Sequence, residues 1–364
     1  MKKMILAFSI CLSLSLIGCS SNSNMQYIKA EQKPSTYYVN TNISPCLQAD
    51  IVHGRNIIYC SSFQLAWDKV KSDVFKEDVK LANQPQIVNY LNSNVIGRNI
   101  SENNRVTMAG YIKDGIVSKI NKELSDKFGS QKKFDYDGSN SDKAILAYGY
   151  LFKNLKFSKN FNDLNLSFIA DNSGERVGCF GIDPDSDCDY REQLSRQIKI
   201  VDYTNDDDFI IQLCTTSQDD EVILAKITPQ KNLDECVKYV NSRIANGHLE
   251  KFNFDCDILW IPTLSFNITH KYNELINKIV INKGFEQYYI QEARQDIAFQ
   301  LNKSGIVLES ESQMAYAASA IQVSKKLVFD KPFLIFLREK GEKSPYFAAW
   351  IGNTELMDKD YRSN

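Results

Sequence analysis

LNKSGIVLESESQMAYAASAIQVSKKLVFDKPFLIF, residues 301–336, is the stretch on which the fold turns. The residues leading into it and those at its end have the apolar texture of strands. Between them run about twenty residues of Gly, Ser, Ala, Glu and Gln. Loops of that length without structure of their own are uncommon in a compact domain. This one has a pattern. From Ile306 onward one alternate set, Ile306, Leu308, Ser310, Ser312, Met314 and Tyr316, is apolar or small. The other set holds Glu309, Glu311 and Gln313. A period of two with one polar face is the signature of a strand with one side buried. The segment is positioned as a loop and written as a strand that belongs in a sheet.

Working outward, the chain divides by texture. The first half predicts helices: Phe63, Ala66, Trp67, Val70 and Val74 share one helical face, as do Ile112, Ile116, Ile120 and Leu124. A polar loop follows at 129–142. After it come apolar runs of strand length, AILAYGYLF (144–152), LNLSFIA (164–170), QIKIVDY (197–203), DFIIQLCT (208–215) and EVILAKI (221–227), punctuated by Gly, Asn and Asp. Leu233, Cys236, Val237, Val240 and Ile244 mark another amphipathic helix. DILWIPTLSFNIT (257–269) and DIAFQLNK (296–303) read as strands with a short helix between them, and two last strands are expected near 333–338 and 346–351. Helices followed by many strands predict an α+β fold with large antiparallel sheets.

The N-terminus reads as a targeting signal. Lys2 and Lys3 precede an apolar run, Met4 to Ile17, that is short for a membrane span. The run ends in Leu16-Ile17-Gly18-Cys19, which resembles a bacterial lipobox, in which the Cys is acylated and becomes the first mature residue. The expected division is a lipoprotein signal peptide at 1–18, a lipidated tether at 19–40 and a domain at 41–364. SSNSN (20–24) gives the tether its flexible start. Ser20 after Cys19, by resemblance to lipoprotein sorting, places the anchored chain at the outer membrane.

With 43% apolar residues, 20 Phe and 18 Tyr, the chain can build a sizeable core. A net charge of −2, with acids and bases mixed, leaves no electrostatic footprint for nucleic acid. Nine cysteines are present, of which Cys11 leaves with the signal and Cys19 would carry lipid. In an oxidising compartment some of the remaining seven are expected to pair. Cys179 with Cys188 brackets a short turn-rich stretch and is the first candidate; Cys46 with Cys60 is the second.

Catalytic patterns are lacking. His53, His248 and His270 lie in unrelated segments without metal-ligand spacing. DPDSDCD (183–189) lacks the Gly and Glu of a calcium loop and reads as an exposed acidic turn, as does NDDD (205–208). No phosphate loop or nucleophile elbow is present. The sequence therefore implies no enzyme, no cofactor and no metal.

Several segments in order resemble the serpins. FDKPFLIFLREKGEKSPYFAAWIGN (329–353) is similar to their closing segment, with its Phe-x-x-Pro-Phe and Ser-Pro-x-Phe elements. AILAYGYLFKN (144–154), IKIVDYTNDDDFIIQL (198–213) and ILWIPTLSFNITHKYNELINKIVINKGF (258–285) resemble serpin strand and hairpin segments, and NIIYCSSF (56–63) echoes another. The resemblance implies a serpin-like fold with a helical N-terminal half, a large central β-sheet, additional antiparallel sheets and a reactive-centre-like loop, exposed or inserted. The stretch 64–143 is short for the family, so some helices are expected to be missing. The loop would be bait: a protease cuts it, and the freed segment inserts as a strand. By the family's spacing the hinge is Gly305, Ile306, Val307 and Leu308, and the scissile bond lies within Ser319, Ala320 and Ile321. These small and aliphatic residues imply an elastase-like serine protease, or a cysteine protease, as partner of a monomeric, membrane-anchored inhibitor. Departures from the pattern support an alternative, a non-inhibitory binding or structural module. Ile306, Val307 and Leu308 are bulky for a hinge, and Lys303 replaces the usual acid. Tyr148 stands for Asn, Gln295 for His, and Cys60 and Phe63 for Ser.

Overall fold

The structure, a computed structural model, describes residues 30–93, 100–130, 132–136, 144–170, 174–306 and 325–359. Its N-terminal part runs β1 (Lys33–Pro34), β2 (Thr41–Ser44), β3 (Asn56–Cys60), α1 (Ser62–Lys69), α2 (Gln86–Ser93), β4 (Arg105–Tyr111) and α3 (Ile116–Phe128). Next come β5 (Ile145–Leu151), β6 (Leu155–Lys156), β7 (Asn162–Ile169), β8 (Gly174–Ile182), α4 (Cys188–Ser195), β9 (Ile198–Asn205), β10 (Asp208–Leu213) and β11 (Asp220–Lys226). The chain closes with α5 (Leu233–Asn246), β12 (Glu250–Lys251), β13 (Ile258–Pro262), β14 (Leu264–Lys271), β15 (Arg294–Asn302), β16 (Gly305–Ile306), β17 (Lys326–Val328), β18 (Phe333–Glu339) and β19 (Phe347–Ile351).

Burial explains which runs became strands. The largest sheet has eight strands in the order β12-β9-β10-β11-β18-β19-β3-β2. Its middle strands are buried on both faces. Phe209, Ile211, Leu224 and Ile335 enter the main core, whereas Ile210, Ile223, Leu334 and Trp350 on the reverse face lie under α5. That is why these strands read as unbroken apolar runs. β15 is the opposite case: Gln295, Ile297, Phe299 and Leu301 are buried and Arg294, Asp296 and Ala298 are exposed. A four-stranded sheet, β17-β13-β8-β7, closes the main core from another side.

Helix α5 starts at a built cap. The side chain of Asn232 accepts a hydrogen bond from the Glu235 N–H at 2.9 Å, satisfying one of the donors a helix start leaves open. Asn232→Ala is expected to lower stability by about 1 kcal/mol. A fall in the urea midpoint at unchanged slope would register it; an unmoved midpoint would show that the cap contributes nothing.

Several expectations are corrected. The first half is mixed rather than helical: β3, β4 and β5 lie within or beside it, and the face read from Phe63 to Val74 splits into α1 and a wider helical turn over Val70–Phe75. Residues 272–292 form turns and short bridges in place of the expected helix. Tyr272, Leu275 and Val280 from this stretch bury against Trp67, Val88 and Leu91, so packing rather than helical hydrogen bonding holds it. The acidic turn at 183–189 runs into α4, where Asp187 caps Tyr190 N–H. Neither expected disulfide is formed, and all seven cysteines among the described residues are free thiols. Cys179 is buried in β8, while Cys188 is exposed at the start of α4. Cys46 lies 3.7 Å from the Ser44 hydroxyl, and Cys60 lies 3.6 Å from that of Ser62. Each of these two thiols has a hydroxyl partner instead of the other thiol.

Candidate functional site: a split sheet with a wedge

A sheet that should be continuous is divided. Among the described residues β4 and β5 pair only with each other, Arg105 opposite Leu151 through Tyr111 opposite Ile145. β14 and β15 pair over eight positions, Leu264 opposite Leu301 through Lys271 opposite Arg294, in a second sheet of order β1-β14-β15-β16-β6. Among the described residues no ladder joins β5 to β15. Between their ends sits β16, the two residues Gly305 and Ile306. It pairs antiparallel with β15 (Leu301 with Ile306, Asn302 with Gly305) and antiparallel with β6 (Ile306 with Leu155, Gly305 with Lys156). Two residues thus wedge into the head of a slot walled by β15 and by the β5–β6 segment.

The wedge requires glycine at its first position. Gly305 has φ +127°, a conformation L side chains rarely adopt, and a Cβ there would lie 2.5 Å from the Leu155 carbonyl oxygen. Ile306 is buried in the main core. The turn before it is held by Phe157 N–H donating to the Ser304 carbonyl at 3.0 Å and Phe161 N–H to the Lys303 carbonyl at 2.8 Å. Lys303, which stands where an acid was expected, makes an ion pair with Asp163 of β7.

Helix α1 floors the slot. Gly149 of β5 lies against it so closely that a Cβ would meet the Ser62 carbonyl oxygen at 2.0 Å. From the other wall Gln295 reaches the same place. Its amide donates to the Cys60 carbonyl and to the Ser62 hydroxyl, both at 2.9 Å, and its Oε1 accepts from the Tyr272 hydroxyl at 2.6 Å. The Phe63 ring packs 4.4 Å from that of Tyr272. Burial pushes the Cys60 thiol and the Tyr272 hydroxyl up from their ordinary values, so both are neutral hydrogen-bonding groups here. Of the four residues singled out from sequence, Cys60, Phe63 and Gln295 meet at this floor. Tyr148 does not: its ring lies 4.6 Å from Phe134 on the opposite face, in the cluster beneath α3.

Two features of the slot carried no sequence signal. Lys132 places its ammonium 4.5 Å from the centre of the Tyr150 ring, and burial lowers its basicity while Asp296 raises it. The side-chain oxygens of Asn154 and Gln300, one on each wall, are buried without a hydrogen-bond partner. An orphaned buried acceptor costs about 1–3 kcal/mol.

Of the proposed hinge, Gly305 and Ile306 form the wedge. Val307, Leu308 and the scissile candidates Ser319, Ala320 and Ile321 lie outside the described residues, as does Cys19. The chain is described again from Lys325, whose N–H donates to Asp257 at 3.1 Å; Lys326 N–H donates to Asp206 at 3.0 Å as β17 begins. Among the described residues no cluster of His, Cys, Asp and Glu could hold a metal ion, and no helix is long and apolar enough to cross a membrane.

No protein-family model and no curated protein matches the chain. Solved structures do. Human thyroxine-binding globulin complexed with its thyroxine ligand is 11% identical, with 82% of this chain and 92% of that chain covered at a TM-score of 0.50. Human glycosylated kallistatin is 14% identical over 82% of this chain and 92% of that one, at 0.48. Serpin48 from the insect Tenebrio molitor is 10% identical over the same shares, at 0.47. At such identities it is the fold that is shared, and it agrees with the order of segments read from sequence: this chain carries the serpin fold.

Proposed function

We propose that the protein is a lipid-anchored protease inhibitor that works by inserting its own loop, after cleavage, into the slot between β15 and β5. The observation that supports this most is the wedge. Continuing the β15 register beyond Ile306 would set Leu308, Ser310 and Ser312 beside Phe299, Ile297 and Gln295, all buried. It would turn Glu309 and Glu311 toward the exposed side, beside Ala298 and Asp296. The alternation of the loop and that of β15 are therefore in phase, and a charge on the inward side would instead cost several kcal/mol. Val307, directly after the wedge, would in the same register fall beside Gln300 and Asn154, the two walls' unpartnered acceptors.

The scissile bond belongs to Ser319-Ala320-Ile321. The nearest cations downstream, Lys325 and Lys326, have their backbone N–H groups hydrogen-bonded at the start of β17. A trypsin-like pocket would find no basic side chain in the loop and would leave its own charge unpaired. Incubation with elastase-like, cysteine and trypsin-like proteases decides the matter. A covalent complex on a denaturing gel, with the first cut mapped to 319–321, is the expected result. Cleavage without a complex would make the protein a substrate. The second reading, a non-inhibitory module, would then stand, favoured by the bulk of Ile306 and by Gln295 tying β15 to α1.

The anchor is tested separately. Cys19→Ala is expected to shift the protein from the membrane to the soluble fraction; retention at the membrane with no loss of labelled lipid would refute acylation at this residue.

A further inference from the structure

Three large apolar side chains stand in water close to where the tether meets the domain. Tyr37 is 65% exposed, Val39 68% and Val52 51%. Single exposed apolar residues need no explanation. Here Arg55 ties the backbone of Val39 to that of Val52, and Tyr37 lies two residues before Val39. The Arg55 guanidinium donates to the Val39 carbonyl at 2.8 Å, its own N–H donates to the Val52 carbonyl at 3.1 Å, and the Lys33 ammonium sits 5.6 Å from the centre of the Tyr37 ring. Of the acids nearby, Glu31 pairs with Lys33 itself, and Glu355 accepts from the Asn40 N–H and the Thr41 hydroxyl. The surface is aromatic and aliphatic, with the Arg55 guanidinium at one edge and the Lys33–Glu31 pair at the other.

The segment carrying it is fastened. β1 lies parallel on the outer edge of β14, Lys33 beside Ile268 and Pro34 beside Thr269. Asn267 donates to the Ala30 carbonyl at 3.1 Å, and Ser35 Oγ lies 2.8 Å from His270 Nδ1. The domain's point of departure toward the N-terminus is therefore a rigid one. Ten residues, Ser20 to Lys29, separate it from Cys19. Fully extended they span at most about 36 Å.

We propose that the surface formed by Tyr37, Val39 and Val52, rimmed by Lys33 and Arg55, rests on the lipid bilayer in which Cys19 is anchored and sets the orientation of the domain on it. This rests on the anchor reading. Tyrosine and aliphatic groups flanked by Lys and Arg suit the headgroup region, where a ring can be half buried with its hydroxyl wet. A short tether keeps the surface at high local concentration beside the bilayer, so weak apolar contacts suffice to hold it there. No comparable argument selects a protein partner, because the feature that singles out this patch is its place at the tether.

Hydroxyl-radical footprinting of the full acylated protein on phosphatidylethanolamine–phosphatidylglycerol vesicles tests it, beside the same chain from Ser20 onward, which carries no acyl group. Flotation reads the anchor and oxidation reads the surface. On vesicles, modification of Tyr37, Val39 and Val52 should fall several-fold against the unacylated chain, while Leu249 and Tyr289, exposed by 68% and 56%, keep their reactivity. In Tyr37→Ser with Val39→Ser the protein should still float and Val52 should regain its solution reactivity. A floating protein whose three residues react as they do without the acyl chain overturns the proposal and leaves the anchor standing. The same holds if the three are already protected in the unacylated chain, since then the polypeptide covers them. An acylated sample that does not float refutes the anchor and the orientation together.

Discussion

Lys153→Met is expected to destabilise the protein by about 3–5 kcal/mol, the loss that follows when one partner of a buried ion pair is removed and the other is left behind. Lys153 lies between β5 and β6, in the wall of the slot, with its side chain 6% exposed. It bridges Asp220 at 2.8 Å, itself 5% exposed, and Glu339 at 2.9 Å, 16% exposed. Its ammonium also lies 4.9 Å from the centre of the Tyr346 ring. Both carboxylates have further donors. Asp220 accepts from the Ser217 hydroxyl at 2.7 Å and the Tyr346 hydroxyl at 3.0 Å, and Glu339 accepts from the Ser101 N–H at 2.9 Å. Removing the lysine therefore leaves two buried acids facing each other with neutral donors only. Urea unfolding measures the loss. Adding Asp220→Asn to Lys153→Met should restore part of it, because one of the stranded charges is then gone. A single-variant loss below about 1 kcal/mol would place this network with ordinary surface pairs.

Cutting the loop within 319–321 should raise the melting temperature by about 10 °C or more, at roughly 2–4 °C for each kcal/mol gained in a domain of this size class. The inserted strand would pair with two edges that, among the described residues, pair with nothing below β16, and it would cover the orphaned oxygens of Asn154 and Gln300. One local cost is visible in the register. Glu311 would fall beside Asp296, whose own ion-pair partner is Arg294 at 2.7 Å, which leaves Lys132, over the Tyr150 ring, as a cation that can offset the added charge. Lys132→Met should therefore reduce the rise. Calorimetry of intact and nicked protein decides: a loop that is cut readily with no rise in melting temperature means that the slot does not take it as a strand.

How much of this was legible follows from where the information resides. Alternation along 306–316 and along β15 is local, so both patterns could be read and their phases compared once the hinge was paired. The order of apolar runs carried the serpin resemblance, since the runs became strands, though of several different sheets. The 272–292 stretch misled because its apolar spacing serves burial against α1 and α2 without helical hydrogen bonds. The cysteines misled because proximity in sequence says nothing of side-chain direction: β8 turns Cys179 inward, and α4 leaves Cys188 at the surface. β3, β4 and the whole of β1 were missed, being short or paired with strands far away in sequence. Lys132 and the Asn154–Gln300 pair are properties of a gap between two strands, and a gap has no residue pattern.

The order in which the eight-stranded sheet closes bears on how the molecule is made. β3 is complete by Cys60, yet its antiparallel neighbour is β19, and Asn56 accepts hydrogen bonds from the backbone N–H groups of Gly352 and Asn353. Nearly three hundred residues of polypeptide must be synthesised before that contact can form. At about 5–20 residues per second, the early strands wait tens of seconds with an open edge. Pairings so distant in sequence slow folding, and this edge of the sheet closes only once β19 has been made. A polypeptide that stops short of Phe347 lacks β19, and β3 then has β2 alone as its neighbour. Any helper that binds this polypeptide during biogenesis would find β3 exposed for the whole of that interval.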